Sequence, residues 1–267
     1  MNLHGKTVIV TGGGAGIGRE VVRQLLDHGA TVHALDLNTD ALATDPATAD
    51  GRLFPHQVNI ADRDAVAALA VGDSPDIGPV DALVNVAGIV QDFVDINDLD
   101  RSTMERVINV NFWGTVNTVT TFLPGMLTRP EAAVVNVSSM GALVPVPGQS
   151  AYGASKAAVK LFTEGLRAEL RKTKVSVSVV FPGGVDTDIT TNSGVEVAGA
   201  DDPEARAKAS KFLTAPQDAA AKIVRAIETG KPRVIIGKDA RVMDLLSRIM
   251  PVAAASAMAA LMAKLTG

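Results

Sequence analysis

The run Thr11-Gly-Gly-Gly-Ala-Gly-Ile-Gly18 constrains this chain more than any other stretch. A short apolar segment, Lys6 to Val10, precedes it and reads as a buried strand. An amphipathic segment, Arg19 to His28, follows and reads as a helix. A glycine turn that opens a helix makes an anion site, because the backbone N–H groups point outward and the helix dipole favours negative charge. Gly12, Gly14, Gly16 and Gly18, with Ile17 among them, let the backbone approach a pyrophosphate closely. The spacing is G-x-x-x-G-x-G, not G-x-G-x-x-G.

A second strand, Thr31 to Leu35, ends in Asp36. An acidic residue about twenty positions after such a turn accepts hydrogen bonds from the adenosine ribose hydroxyls. It also repels a 2′-phosphate. At about 4 Å that repulsion is about 1 kcal/mol in water and about 4 kcal/mol at an intermediate dielectric, or about 5- to 1000-fold in affinity. Leu37 follows where an Arg or Lys could have bound the phosphate. NAD is therefore expected in preference to NADP.

Short apolar runs alternate with helical patterns along the rest of the chain. Strands are expected at 6–11, 31–36, 52–59, 81–85, 132–138, 174–181 and 233–236, and helices at 17–28, 61–71, 99–126, 150–172 and 216–229. This alternation predicts an α/β fold, a doubly wound parallel sheet of about seven strands with helices on both faces. The runs 8–10, 82–84 and 133–137 suit strands buried on both faces. Ligands in such sheets bind beyond the carboxyl ends of the strands, so one crevice can collect the glycine turn, Asp36, Asn85 to Gly88, Ser139 and Pro182 to Thr187. The expectation is one domain, 1–267, that binds the dinucleotide and performs the chemistry.

Tyr152 and Lys156 stand four residues apart in Ser150-Ala-Tyr-Gly-Ala-Ser-Lys156, and Ser139 lies thirteen residues before Tyr152. On a helix, positions i and i+4 share a face, so phenol and ammonium can meet. A tyrosine is a poor acid near neutral pH, and a nearby ammonium favours its phenolate. A serine hydroxyl beside them could bind the same substrate oxygen. These are the parts needed to move a proton on or off an alcohol or carbonyl oxygen.

Together these motifs resemble the short-chain dehydrogenase/reductase family, and they run in its order across nearly the whole chain. Thr11 to Gly18 resembles its TGxxxGxG turn. Asn85-Val-Ala-Gly88 resembles its NNAG segment, with Val86 for the second Asn and with Asn85, Ala87 and Gly88 expected at the cofactor. Asn111, Ser139, Tyr152 and Lys156 match its catalytic asparagine, serine, tyrosine and lysine. Pro182-Gly183-Gly-Val185-Asp-Thr187 resembles its PGxVxT stretch beside the nicotinamide. Asn59-Ile60 stands where the family commonly has Asp-Val near the adenine, and Phe181 where Asn is frequent.

The resemblance implies hydride transfer between nicotinamide C4 and a secondary alcohol or ketone. Tyr152 would be the acid or base, with Lys156 lowering its pKa and binding the nicotinamide ribose. Ser139 would polarise the carbonyl, and Asn111 would hold a water of a proton relay. Thr187 and the Val185 backbone would fix the carboxamide. The resemblance also implies a homo-oligomer, dimer or tetramer, paired through the helices at 99–126 and 150–172. A catalytically silent NAD(P) sensor is the alternative, and an intact Asn111, Ser139, Tyr152 and Lys156 argues against it.

Composition excludes other classes. The chain has 267 residues, a net charge of −4 and no cysteine. No basic tract suggests nucleic acid, no thiolate site exists, and the four histidines, at 4, 28, 33 and 56, lack metal-ligand spacing. No metal is therefore expected. The first residues run directly into strand one, which predicts no signal peptide and a cytoplasmic protein. The aperiodic stretch 188–215 is expected to be a substrate loop. Residues 240–267 form an apolar tail whose unbroken run of about 12 residues is too short to span a bilayer, and packing against the body or a second subunit is expected. Ile89, Val90, Phe93, Leu143, Val144, Val146 and Pro147 are expected to line an apolar substrate pocket.

Overall fold

The computed structural model describes residues 1–70, 77–195 and 213–266. Seven strands form one parallel sheet: β1 (Thr7–Thr11), β2 (Thr31–Asp36), β3 (Leu53–Gln57), β4 (Ala82–Asn85), β5 (Ala132–Val137), β6 (Val175–Pro182) and β7 (Arg233–Ile236). Their order is β3-β2-β1-β4-β5-β6-β7. Strand order reverses between β1 and β4, so the loops leaving these two strands diverge to opposite sides and open a crevice at their carboxyl ends.

Two-residue periodicity builds both cores. Val8 and Val10, Ala82 and Val84, Ala133 and Val135 face one side, against Val21, Val22, Leu25 and Ile223. These partners lie on α1 (Gly16–Asp27) and α9 (Pro216–Thr229). Ile9, Leu83 and Val134 face the other side, against Val66, Val119, Phe122 and Leu166. Those residues belong to α4 (Arg63–Ala68), α6 (Gly114–Met126) and α7 (Ser150–Glu169). Burial on both faces accounts for the unbroken apolar runs in the sequence.

Several helix starts follow local rules. The Asp62 side chain accepts from the Asp64 and Ala65 N–H groups at the start of α4. Asp100 accepts from Thr103 N–H at the start of α5 (Arg101–Ile108). Gly230, at φ +63°, ends α9.

The structure departs from the sequence reading in four places. The helix expected at 99–126 is two helices, α5 and α6, joined by a π turn over Asn109–Trp113. Three short helices were not apparent: α2 (Asp40–Ala43), α3 (Pro46–Ala49) and α8 (Ile189–Asn192). Four residues are too few to show a helical period. The helix expected at 150–172 closes in a 3₁₀ turn over Leu170–Lys172. The apolar tail is α10 (Lys238–Ile249) and α11 (Pro251–Thr266), separated at Pro251. Met243, Leu246, Ala254 and Met258 cover Met140, Leu143, Val144 and Val146, so the tail packs on the body of the same chain. Among the described residues no helix is long and apolar enough to cross a membrane. The expected substrate loop lies outside the described residues at 196–212, as does residue 71 of the expected helix 61–71.

One buried acid ties the amino ends of the strands together. Asp81 precedes β4, is buried, and accepts from the Thr7 N–H at 3.0 Å and from Arg129 Nε and Nη2 at 2.9 and 2.8 Å. Removing a buried partner strands the opposite charge and the N–H, at a cost of about 3 kcal/mol or more. Asp81→Ala should therefore lower stability by about that amount in urea unfolding with an unchanged m-value. A loss below about 1 kcal/mol would show that the tie contributes little.

Candidate active site

A cleft of about 610 Å³ opens at the carboxyl ends of β1, β2, β4, β5 and β6. Gly12, Gly14, Gly16, Ile17, Gly18, Asp36, Asn59, Ile60, Ala87, Gly88, Pro182, Gly183, Val185 and Thr187 all line it, together with Ser139, Tyr152 and Lys156. Its size and mixed lining suit a small-molecule site.

Glycine is required in the turn for stated reasons. A β-carbon at Gly18 would lie 1.9 Å from the Gly12 carbonyl oxygen, so α1 can start only where no side chain intervenes. Gly12, at φ +69°, passes the loop after β4 so closely that a β-carbon would lie 2.8 Å from Ala87 Cα. At Gly14 a β-carbon would meet the Asn38 carbonyl oxygen at 2.5 Å and the Asp36 carboxylate at 3.0 Å. Asp36 is tied there: its carboxylate accepts from Gly14 N–H at 2.8 Å and from Asn38 N–H at 3.1 Å. α1 begins with no side-chain cap and no acidic residue in its first turn. Its free N–H groups open into the cleft beside Gly14 and Gly16, which fits the pyrophosphate of a dinucleotide.

Asn85 is the exception among the expected cofactor residues. It is buried away from the cleft, where its amide donates to Asn136 Oδ1 at 2.9 Å and its Oδ1 accepts from Thr118 at 2.7 Å. Asn136 continues the chain to Thr163 at 3.0 Å. The side chain at the end of β4 thus points into the helix layer and braces β4, β5, α6 and α7. Ile60 lines the cleft, but its side chain also fills the space left by Gly114, where a β-carbon would be 2.6 Å from Cδ1. The Asn59 side chain accepts from Ala61 N–H at 3.0 Å, which fixes the turn after β3.

Asn111 is fully buried in the π turn and lies behind the cleft wall. Its Oδ1 accepts from Ile89 N–H at 2.8 Å, and its Nδ2 donates to Ile89 O and to Ser155 Oγ, both at 2.9 Å. Both amide hydrogens are thereby used, so this side chain clamps the Ile89 backbone. A π turn brings an inward side chain to a place that a regular helix would miss, and such turns recur at functional sites.

Tyr152 and Lys156 project from the first two turns of α7. Ser138 Oγ donates to the Lys156 carbonyl at 2.7 Å and pins the helix to β5. Burial pushes the Tyr152 phenol above its ordinary pKa, and a hydrogen bond with Ser139 pulls it back down. Burial pushes Lys156 down to about 8. Its Nζ donates to Val137 O at 3.2 Å and lies 6.0 Å from the Tyr152 ring centroid. In this arrangement burial has the largest effect on the tyrosine, and the ammonium is not among the groups that lower it. A β-carbon at Gly88 would stand 2.9 Å from Lys156 Nζ, so glycine gives the ammonium its place.

The model of the short chain dehydrogenase family matches residues 6–197. The chain belongs to the short-chain dehydrogenase family. It is 36% identical over 259 residues to a Mycobacterium tuberculosis protein named as an oxidoreductase, SadH, across 93% of this chain and 92% of that one. Among solved structures it resembles a short chain dehydrogenase from Burkholderia cenocepacia in complex with NADP, at TM-score 0.79 and 27% identity, covering 97% and 99% of the two chains. A family member from Burkholderia phymatum in complex with NAD gives TM-score 0.80 and 25% identity, covering 93% and 94%.

Sequence reasoning missed several lining residues of this family member. Asn38 and Val110 face the cleft, and Ile189, Asn192 and Ser193 do so from the start of the expected substrate loop, where no single residue had been singled out. Ser193 is a useful case, since its hydroxyl accepts from Val90 N–H at 3.0 Å and holds α8 against the loop after β4. No motif marks it. The expected apolar pocket is only partly present. Ile89 and Val90 line the cleft, whereas Leu143, Val144 and Val146 pack under the C-terminal helices, and Phe93 and Pro147 are exposed. Asp239, at the start of α10, also escaped notice. It accepts from Gly184 N–H at 2.8 Å and braces the turn after β6.

A buried lysine with a depressed pKa weakens the fold near neutral pH. The fall from 10.5 to about 8 corresponds to about 3 kcal/mol at pH 7. Below pH 8 both folded and unfolded chains hold the proton, so the penalty is constant. Between about 8 and 10.5 the unfolded chain holds more protons, so stability rises with pH. Lys156→Met should thus be more stable than the parent at pH 7, with the gain shrinking as pH rises through that window. Thermal melts at several pH values check this, and a variant less stable at pH 7 contradicts the assigned cause.

Proposed function

We propose that this short-chain dehydrogenase is an NAD-dependent oxidoreductase that moves hydride between the nicotinamide and a secondary alcohol or ketone. The observation that carries the reading is convergence. Tyr152, Ser139 and Lys156 stand in the same cleft as the glycine turn and Asp36, at the end beside Pro182 to Thr187. The nicotinamide cofactor would supply or accept the hydride. Every other task falls to the chain. Ser139, whose hydroxyl acts on the Tyr152 phenol, orients the substrate oxygen. Tyr152 gives that oxygen a proton during reduction and removes one during oxidation. Lys156 would hold the nicotinamide ribose, and its ammonium would favour the phenolate of Tyr152. Asn111 keeps Ile89 in place on the facing wall. Thr187 and the Val185 backbone hold the carboxamide.

Choice of cofactor turns on the adenosine end. Asp36 is held across the glycine turn, and Leu37 lies exposed beside it. Lys156 is the one basic side chain among the described residues of the lining, and it stands at the opposite end. A 2′-phosphate would meet a carboxylate and no cation there. Relatives of this fold are seen with NADP and with NAD, so the distinction rests on these residues. We also read the active form as a homo-oligomer, dimer or tetramer, in which the exposed Trp113 and Leu161 of the α5–α6 and α7 surface meet a second copy.

Two experiments test the reading. Titrating the protein with NADH and NADPH, followed by nicotinamide fluorescence, should give at least about tenfold tighter binding of NADH. Asp36→Ser should erase the difference, and equal affinities in the parent would overturn the assignment to Asp36. Tyr152→Phe should bind NADH as the parent does and lose turnover by about 100-fold or more. Substantial remaining turnover would remove Tyr152 from proton transfer.

A further inference from the structure

Gln91 follows the cleft residues Ile89 and Val90 and is completely buried, with a side chain the proposed chemistry leaves unused. Its Oε1 accepts from the Tyr152 backbone N–H at 2.9 Å, and its Nε2 donates to Gly148 O at 3.1 Å. Its own carbonyl accepts from Gln149 Nε2 at 2.7 Å. Tyr152 is the third residue of α7, so its N–H has no partner within the helix. The residue before a helix ordinarily supplies an acceptor there. Here that residue is Gln149, whose side chain makes no such bond.

We infer that Gln91 is a positioning residue, capping the catalytic helix from the loop after β4 and fixing Tyr152 against the cleft wall. An ordinary cap would hold the helix start to its own preceding residue. This one joins Tyr152 to a three-residue segment in which Ile89 is clamped by Asn111 and Val90 is held by Ser193. Ile89 and Val90 line the cleft. Ser138 pins α7 one turn further on, at the Lys156 carbonyl. The spacing of phenol and ammonium above the cleft is therefore set by two bonds, one to each neighbouring loop. Without Gln91 the first turn of α7 loses its outer anchor and the phenol gains solvent.

Tyr152 is the only tyrosine in the sequence, so tyrosinate absorbance reports its ionisation without any substrate. Gln91→Met conserves volume and removes both side-chain bonds. It should bring the tyrosinate midpoint down toward the ordinary value by about half a unit or more, leave the NADH dissociation constant within about twofold, and lower kcat more than it raises KM. A purely structural role would reduce the melting temperature with no change in midpoint, and that result overturns the proposal. Gln91→Glu should rescue most of the effect toward acid pH, relative to the parent at each pH. A protonated carboxyl can both accept from Tyr152 and donate to Gly148 O, whereas a carboxylate cannot donate. Should Gln91→Met fail to fold, hydrogen exchange on the parent decides. The Tyr152 amide should exchange more slowly than that of Ala151, and equal or faster exchange overturns the proposal.

The turnover arm rests on Tyr152 as the acid–base group, with Tyr152→Phe as its control. Active Tyr152→Phe would sink that reading while the tyrosinate midpoint still judged Gln91. Inactive Tyr152→Phe beside an unshifted midpoint in Gln91→Met would sink the positioning role alone.

Discussion

The close passage of Gly12 against Ala87 is the constraint on which the remainder of this molecule depends. β1 and β4 are neighbours in the sheet, and the loops leaving them part at that point. Their backbones approach too closely for a β-carbon at Gly12. That approach lets Gly18 close on Gly12 and start α1 with its N–H groups bare. It also sets the height from which the chain continues through Gly88 to Gln91, the stretch that meets Lys156, Asn111, Ser193 and Tyr152. The glycine turn and the proposed proton-transfer residues thus share one foundation.

Behind the cleft the buried polar groups are nearly all partnered. Asn85, Thr118, Asn136 and Thr163 form a chain across four elements, and Asn111 occupies both hydrogen-bonding groups of Ile89. Such networks stabilise when complete and are costly when one member is lost. Lys156 departs from that economy. It is buried with a carbonyl as its partner, and burial lowers its proton affinity. A charged group kept against its solvation preference costs stability, which fits the role proposed for Lys156.

Much of this was legible from the sequence, for identifiable reasons. Glycine positions, the strand-end Asp36 and the Tyr152–Lys156 interval are short-range signals, fixed by backbone geometry within a few residues. The central strands β1, β4 and β5 were visible because burial on both faces leaves continuous apolar runs. What escaped notice depends on long-range contact. Asn85 occupies a motif position, yet its side chain turns into the helix layer because Asn136 and Thr118 await it there. The π turn at Asn111 leaves no periodic trace, since α5 and α6 together read as one helix. Leu143, Val144 and Val146 are apolar enough for a substrate pocket, and only the placement of α10 and α11 shows that they pack beneath those helices.

The position of those last two helices has a consequence for biosynthesis. Asp239 holds the turn after β6 through Gly184 N–H, and Met258 and Ala254 rest on Val144, five residues beyond Ser139. All of the cleft residues leave the ribosome before residues 239–258 do. A nascent chain can therefore pair its strands and close the glycine turn while the segment flanking the serine is still uncovered. The contacts that cover the segment after Ser139 and hold the turn after β6 can therefore form only once those helices have left the exit tunnel.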